Sequence, residues 1–165
     1  MKEKLILMLD ECLTEATRHD LCPSDMIAVS ASDGETVVFR RGSKDASVIT
    51  PDTTDSEARA HIEIFAARPD TKIVLSLSGG FAADCAKRGE SPALHSRLAE
   101  KLFPRGIPCV GSASEAESGA KAFLVAGKGA FITAEESSAA VEAALALEYV
   151  AKVGDITDTI RGKIR

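Results

Sequence analysis

The sequence predicts a three-layer α/β/α fold around a mixed, largely antiparallel sheet, and three observations point to it. Helical patterns are interspersed with short extended runs along the chain. A hairpin signal, Ser32-Asp33-Gly34-Glu35, joins two of those runs, so the sheet is not wholly parallel. A length of 165 residues, 45% apolar and 27% charged, suits a single domain over residues 1–165 with a core that needs no metal or disulfide.

The first element is an amphipathic helix. Leu5, Met8, Leu9, Cys12, Leu13 and Ala16 repeat at helical spacing, and the pattern stops near His19-Asp20, before Cys22-Pro23. Strands are expected over Met26–Ala31, Thr36–Arg40 and Ala46–Thr50. Thr54-Asp55-Ser56-Glu57 has the capping-box pattern and opens a helix whose apolar face is Ala58, Ile62, Phe65 and Ala66. Lys72–Ser78 reads as a buried strand, ended by Gly79-Gly80, and Phe81–Lys87 turns helical. Ser91-Pro92 is an N-cap and N1 pair, opening a helix on which Leu94, Leu98 and Leu102 align. An extended piece, Ile107–Gly111, precedes a small-residue segment, Ser112–Gly119. Strands Ala122–Ala126 and Ala130–Thr133 flank Gly127-Lys128-Gly129. A second capping box, Thr133-Ala134-Glu135-Glu136, opens the longest helix, with Val141, Ala144, Leu145 and Tyr149 buried and Gly154 as its C-cap. Asp155–Arg165 has no strong period and reads as a tail.

Composition excludes several classes. A formal charge of −5 argues against a large nucleic-acid footprint. The longest apolar run, Leu5 to Leu9, is too short to span a membrane, and no signal-peptide core follows the first residues, so a cytoplasmic location is expected. Cys12, Cys22, Cys85 and Cys109 show no metal-ligand spacing and read as small hydrophobes rather than disulfides.

Three features bear on chemistry. Gly127-Lys128-Gly129 lacks the third glycine and following helix of a dinucleotide site. Ser78, Gly79 and Gly80, between a buried strand and a helix, could present backbone amides to an anion, or could form a plain turn. Glu57 reads most simply as the reciprocal half of the capping box.

The order of these segments resembles the class II aldolase/adducin family. The resemblance begins at Thr54-Asp55-Ser56-Glu57 and continues through Ile62–Asp70, with its Arg68-Pro69-Asp70. The strand Ile73–Ser78 stands where the family has a His-x-His strand. Ile107-Pro108-Cys109-Val110 and the hairpin Ala122–Ala130 are similar to later family segments. The resemblance implies a class II aldolase-like fold, a zinc-type divalent metal, sugar-phosphate substrates and a homo-oligomer, commonly a tetramer.

Matched residue by residue, Glu57 falls at the family's catalytic glutamate, whereas the three metal-binding histidines fall on Leu75, Leu77 and Lys128. Leucine offers no lone pair and a protonated lysine repels a cation, so no metal or other cofactor is expected. In the phosphate site, the family's Ser-Ser is Asp55-Ser56 here, and the turn near the start has become Ser24-Asp25-Met26-Ile27. The first expectation is thus an aldolase-like protein that binds a small anionic, sugar-phosphate-like ligand or performs metal-free chemistry. Glu57 would be the possible general base and Lys128 a cationic anchor or Schiff-base amine, with Ser56, Ser78, Gly79 and Gly80 around the ligand. The alternatives are an assembly module without catalysis, like the head domain of adducin, and an active sugar-phosphate aldolase or epimerase with substitute ligands. A Glu57/His61 pair at i, i+4 would be the place to seek such ligands; its bland reading is a surface pair.

Overall fold

The computed structural model describes residues 1–115 and 119–164. Of the small-residue segment predicted at Ser112–Gly119, residues 116–118 lie outside the described residues. Helix α1 spans Lys2–Arg18 and buries Leu5, Leu9, Cys12, Leu13 and Ala16, the stripe read from the sequence. Strands β1 (Ile27–Ser32) and β2 (Val37–Arg41) form the expected hairpin, with Ser32 opposite Val37, and β3 (Ser47–Ile49) adds to its outer edge. Then follow α2 (Ser56–Ala67), β4 (Ile73–Leu77), α3 (Phe81–Arg88), α4 (Arg97–Leu102) and β5 (Cys109–Val110). The hairpin β6 (Ala122–Val125) and β7 (Gly129–Ala134) leads into α5 (Ser137–Ile164).

The seven strands make one sheet in the order β3-β2-β1-β4-β7-β6-β5. Every pairing is antiparallel except β5 with β6. Alternate strand residues face opposite layers. Ile27, Val29, Ile73, Leu75, Leu77, Leu124 and Ile132 pack under α1, α3 and α5 in the main core. On the other face, α2 sets Ala60 and Ile64 against Val74, Phe123 and Phe131. The result is the mixed, helix-covered sheet that the sequence predicts.

Four details differ from expectation. The buried side of α2 is Ala58, Ala60, His61 and Ile64, while Ala66 is exposed, because the helix turns Ala60 and Ile64 onto Val74 and Phe131 and His61 onto Ser30 and Ser76. Ser91-Pro92 opens no helix; α4 begins after Ser96, whose hydroxyl accepts from the Ala99 amide, and Leu98 and Leu102 are exposed. Thr133 belongs to β7, where it accepts from Arg68, so it cannot cap α5, which starts at Ser137. Gly154 does not end α5. The helix continues to Ile164, and Tyr149 points outward at 65% exposure while Leu147, Val150 and Ala151 are buried. The expected tail is thus helix, with the Thr157 and Thr159 hydroxyls donating to the carbonyls four residues back.

Gly129 shows why one turn glycine is required. Its φ is +145°, and a Cβ there would lie 2.4 Å from the Leu77 carbonyl oxygen. That close approach holds the β6–β7 hairpin against the end of β4. The cysteines are all free: Cys12 and Cys85 are buried, and burial pushes the Cys12 thiol up to about 12.

Candidate functional site

Glu57 sits in the first turn of α2, over the sheet. Asp55 caps the helix by accepting from the Glu57 and Ala58 amides at 3.0 Å, so Glu57 is not needed to complete a capping box. Its carboxylate turns instead to two other partners. Arg41 at the end of β2 donates from Nε to Glu57 Oε2 at 2.8 Å, and Ser76 Oγ donates to Oε1 at 2.9 Å. Arg41 also reaches both oxygens of Asp55 at 3.0 Å. Burial opposes the charged form of Asp55. The Ala58 amide and the Arg41 guanidinium outweigh it and hold that carboxyl below its usual range.

Behind Glu57 lies a chain of neutral hydrogen bonds. Ser76 spends its proton on Glu57, so its oxygen must accept from His61 Nε2 at 2.8 Å. The ring is then the Nε2–H tautomer, and Nδ1 accepts from Ser30 Oγ at 2.5 Å. His61 is fully buried, edge-on to Phe39 and Phe131. Burial, and then the Arg41 charge, push its pKa down to about 3. The surface-pair reading of Glu57 with His61 is therefore corrected: Ser76 stands between them and both imidazole nitrogens are used.

Leu75 and Leu77 share a face, as alternate strand residues must, but not the face expected. Both are fully buried in the core under α1, α3 and α5, and the residue of β4 that meets Glu57 is Ser76. A one-residue slip between sequence matching and strand face accounts for the difference.

The glycine turn after β4 is also occupied. Gly79 lies under Met26, where a Cβ would come 2.3 Å from the sulfur, and Gly80 has φ +94° with the Glu148 carboxylate against it. Glu148, from α5, accepts from the Phe81 and Ala82 amides at 2.9 and 3.0 Å. Burial pushes its carboxyl up from the usual range. The Ser78 amide and hydroxyl both donate to the Met26 carbonyl. Of the amides expected to meet an external anion, that of Ser78 is thus taken by the Met26 carbonyl, and the two amides that open α3, Phe81 and Ala82, are taken by Glu148.

Lys128 is exposed at the tip of the β6–β7 hairpin, and Ser56 is exposed at the start of α2. The ion pair of Glu57 is with Arg41, not Lys128. Among the described residues, no group of three or more His, Cys, Asp and Glu could hold a metal ion.

The sequence profile of the Class II Aldolase and Adducin N-terminal domain family matches residues 14–154. The chain belongs to that family. Its fold is similar to solved structures at low identity. L-fuculose 1-phosphate aldolase from Glaciozyma antarctica superposes with a TM-score of 0.75 at 14% identity, over 92% of this chain and 72% of that one. L-fuculose-1-phosphate aldolase from Thermus thermophilus gives 0.76 at 12%, over 98% and 99%. YgbL from Klebsiella pneumoniae, a putative aldolase/epimerase/decarboxylase, gives 0.69 at 16%, over 93% and 89%. No curated protein matches the sequence.

Sequence reasoning missed Arg41, Ser30 and Ser76. The serines carried a readable signal: each interrupts an apolar strand (Ile27–Ser32, Ile73–Leu77), and a buried hydroxyl needs a partner. Arg41 carried none, because nothing local to β2 tells which helix start it will face.

Proposed function

We propose that this class II aldolase-family chain does not use the family's metal chemistry and binds a small anionic, sugar-phosphate-like ligand, to which the exposed Ser56 and Lys128 side chains are offered. The observation that carries the first half is the state of Glu57. Both its oxygens are engaged, one by a guanidinium and one by a hydroxyl. A cation at Glu57 would have to displace Arg41, and the residues around it offer little in return. Ser76 is already shared between two partners, His61 has no free nitrogen, Leu75 and Leu77 face away, and Lys128 is cationic. These residues do not suit a zinc-type ion.

The likeness to sugar-phosphate aldolases and the exposed ammonium of Lys128 support the second half. Arg41 neutralises one of the two carboxylates beside it, so Lys128 supplies the attraction for an anion. Titration of wild type and Lys128→Ala with L-fuculose 1-phosphate and inorganic phosphate, followed by thermal shift, tests this. The variant should bind about tenfold more weakly, or ~1.4 kcal/mol. Equal binding by the two proteins contradicts it.

A second reading, an assembly module without a small ligand, is favoured by Glu148, which fills the amides at the start of α3. Absence of binding by either protein at millimolar ligand selects that reading.

A further inference from the structure

A file of hydrogen bonds leads from the partly exposed start of α2 into the middle of β1. Glu57 Oε1 accepts from Ser76 Oγ at 2.9 Å, Ser76 Oγ stands 2.8 Å from His61 Nε2, and His61 Nδ1 stands 2.5 Å from Ser30 Oγ. Ser76, His61 and Ser30 are all buried, so none turns to solvent for another partner. Each carries one hydrogen on a group that can both donate and accept. Such a file can run in either direction, and the group at its mouth selects which.

Glu57 selects the direction seen here. An ionised carboxylate only accepts, so the Ser76 hydrogen points to it, the ring hydrogen sits on Nε2 and the Ser30 hydrogen points to Nδ1. The second carboxylate oxygen is committed as an acceptor too: Arg41 donates to Oε2 from Nε at 2.8 Å, and its Nη2 lies 2.7 Å away. A neutral group at position 57 that still accepts from Arg41 therefore turns a donor toward Ser76. With the old direction kept, Ser76 would meet two donors while its own hydrogen had no acceptor. Burial, and then the Arg41 charge, keep the ring neutral, so it responds by moving its one hydrogen and not by gaining a second. Reversal points the Ser76 hydrogen at Nε2 and leaves the unused hydrogen on Ser30, at the far end of the file.

We propose that the tautomer of His61 is set by the charge of Glu57, with the ring hydrogen on Nε2 while Glu57 is an anion and on Nδ1 once the group at position 57 donates to Ser76. The hydrogens balance. Glu57 gains one proton from solvent, while Ser76, His61 and Ser30 keep one each. In the ring one N–H bond breaks at Nε2 and one forms at Nδ1. The charged groups around the file are Arg41 on β2 and Asp55 at the start of α2. The device carries an event at Glu57 into β1 without placing a charge in the core, and it does not depend on ligand binding at Ser56 and Lys128.

Nuclear magnetic resonance of protein carrying isotopically labelled histidine tests it, since only the protonated ring nitrogen shows a one-bond N–H coupling. His61 is told from His19 and His95 by comparison with His61→Gln. Wild type should carry the hydrogen on Nε2. Glu57→Gln, whose amide oxygen keeps Arg41 and whose amide nitrogen meets Ser76, should carry it on Nδ1. In Ser76→Ala the file is cut, so adding Glu57→Gln to it should leave the ring unchanged. Circular dichroism checks that each variant stays folded. An Nδ1–H ring in wild type overturns the proposal without any variant. An Nε2–H ring in Glu57→Gln overturns it as well. So does a tautomer change when Glu57→Gln is added to Ser76→Ala, because the coupling would then bypass Ser76.

Discussion

Replacing His61 with alanine is expected to cost about 3–5 kcal/mol of stability, the largest loss of any single substitution around the site. Two effects add. The imidazole fills a space between Phe39 and Phe131 in a fully buried position, so truncation leaves a cavity. It also leaves Ser30 without its acceptor and Ser76 without its donor in the same buried layer. Chemical denaturation of wild type and variant measures the loss. His61→Gln, whose amide can both donate and accept, should recover part of it. A loss below about 1 kcal/mol for alanine would mean that the relay is not held as described.

The second large effect is on pH dependence. The His61 pKa falls from 6.5 in the unfolded chain to about 3 in the folded one, chiefly through burial. Between those values the unfolded state holds the extra proton, so stability rises with pH. The contribution is complete above 6.5 and is lost as pH falls toward the folded value, at about 1.4 kcal/mol per pH unit. Carboxylates such as Asp55 also lose stability in acid, so the informative quantity is the difference between wild type and His61→Gln. Wild type should lose stability faster between about pH 6 and 4. Parallel pH profiles would show that His61 is protonated in the folded protein.

Much of the fold was legible because its signals are local. The period of α1, the Asp33-Gly34 turn and the apolar run of β4 each depend on residues within a few positions. Where reading failed, a distant partner decided. Thr133 looked like a helix cap, but Arg68 claims its hydroxyl from the end of α2. Tyr149 fits a buried period, yet α5 turns that side to solvent. At the site, Glu57 was found by family likeness, and its surroundings were not. Arg41 is 16 residues away, and Ser76 is 19. The turn at Ser78-Gly79-Gly80 had the right form for an anion site, but the carboxylate that meets its helix comes from Glu148, 67 residues beyond Phe81.

Whether Glu57 is an ion-pair partner or a metal ligand is tested most directly by elemental analysis. The protein would be incubated with excess zinc and dialysed mildly, alongside Glu57→Ala. Wild type should retain far less than one zinc per chain, and no more than the variant, because Arg41 and Ser76 already hold both carboxylate oxygens. Retention of about one zinc per chain by wild type, lost in Glu57→Ala, would contradict that arrangement and return the protein to metal chemistry.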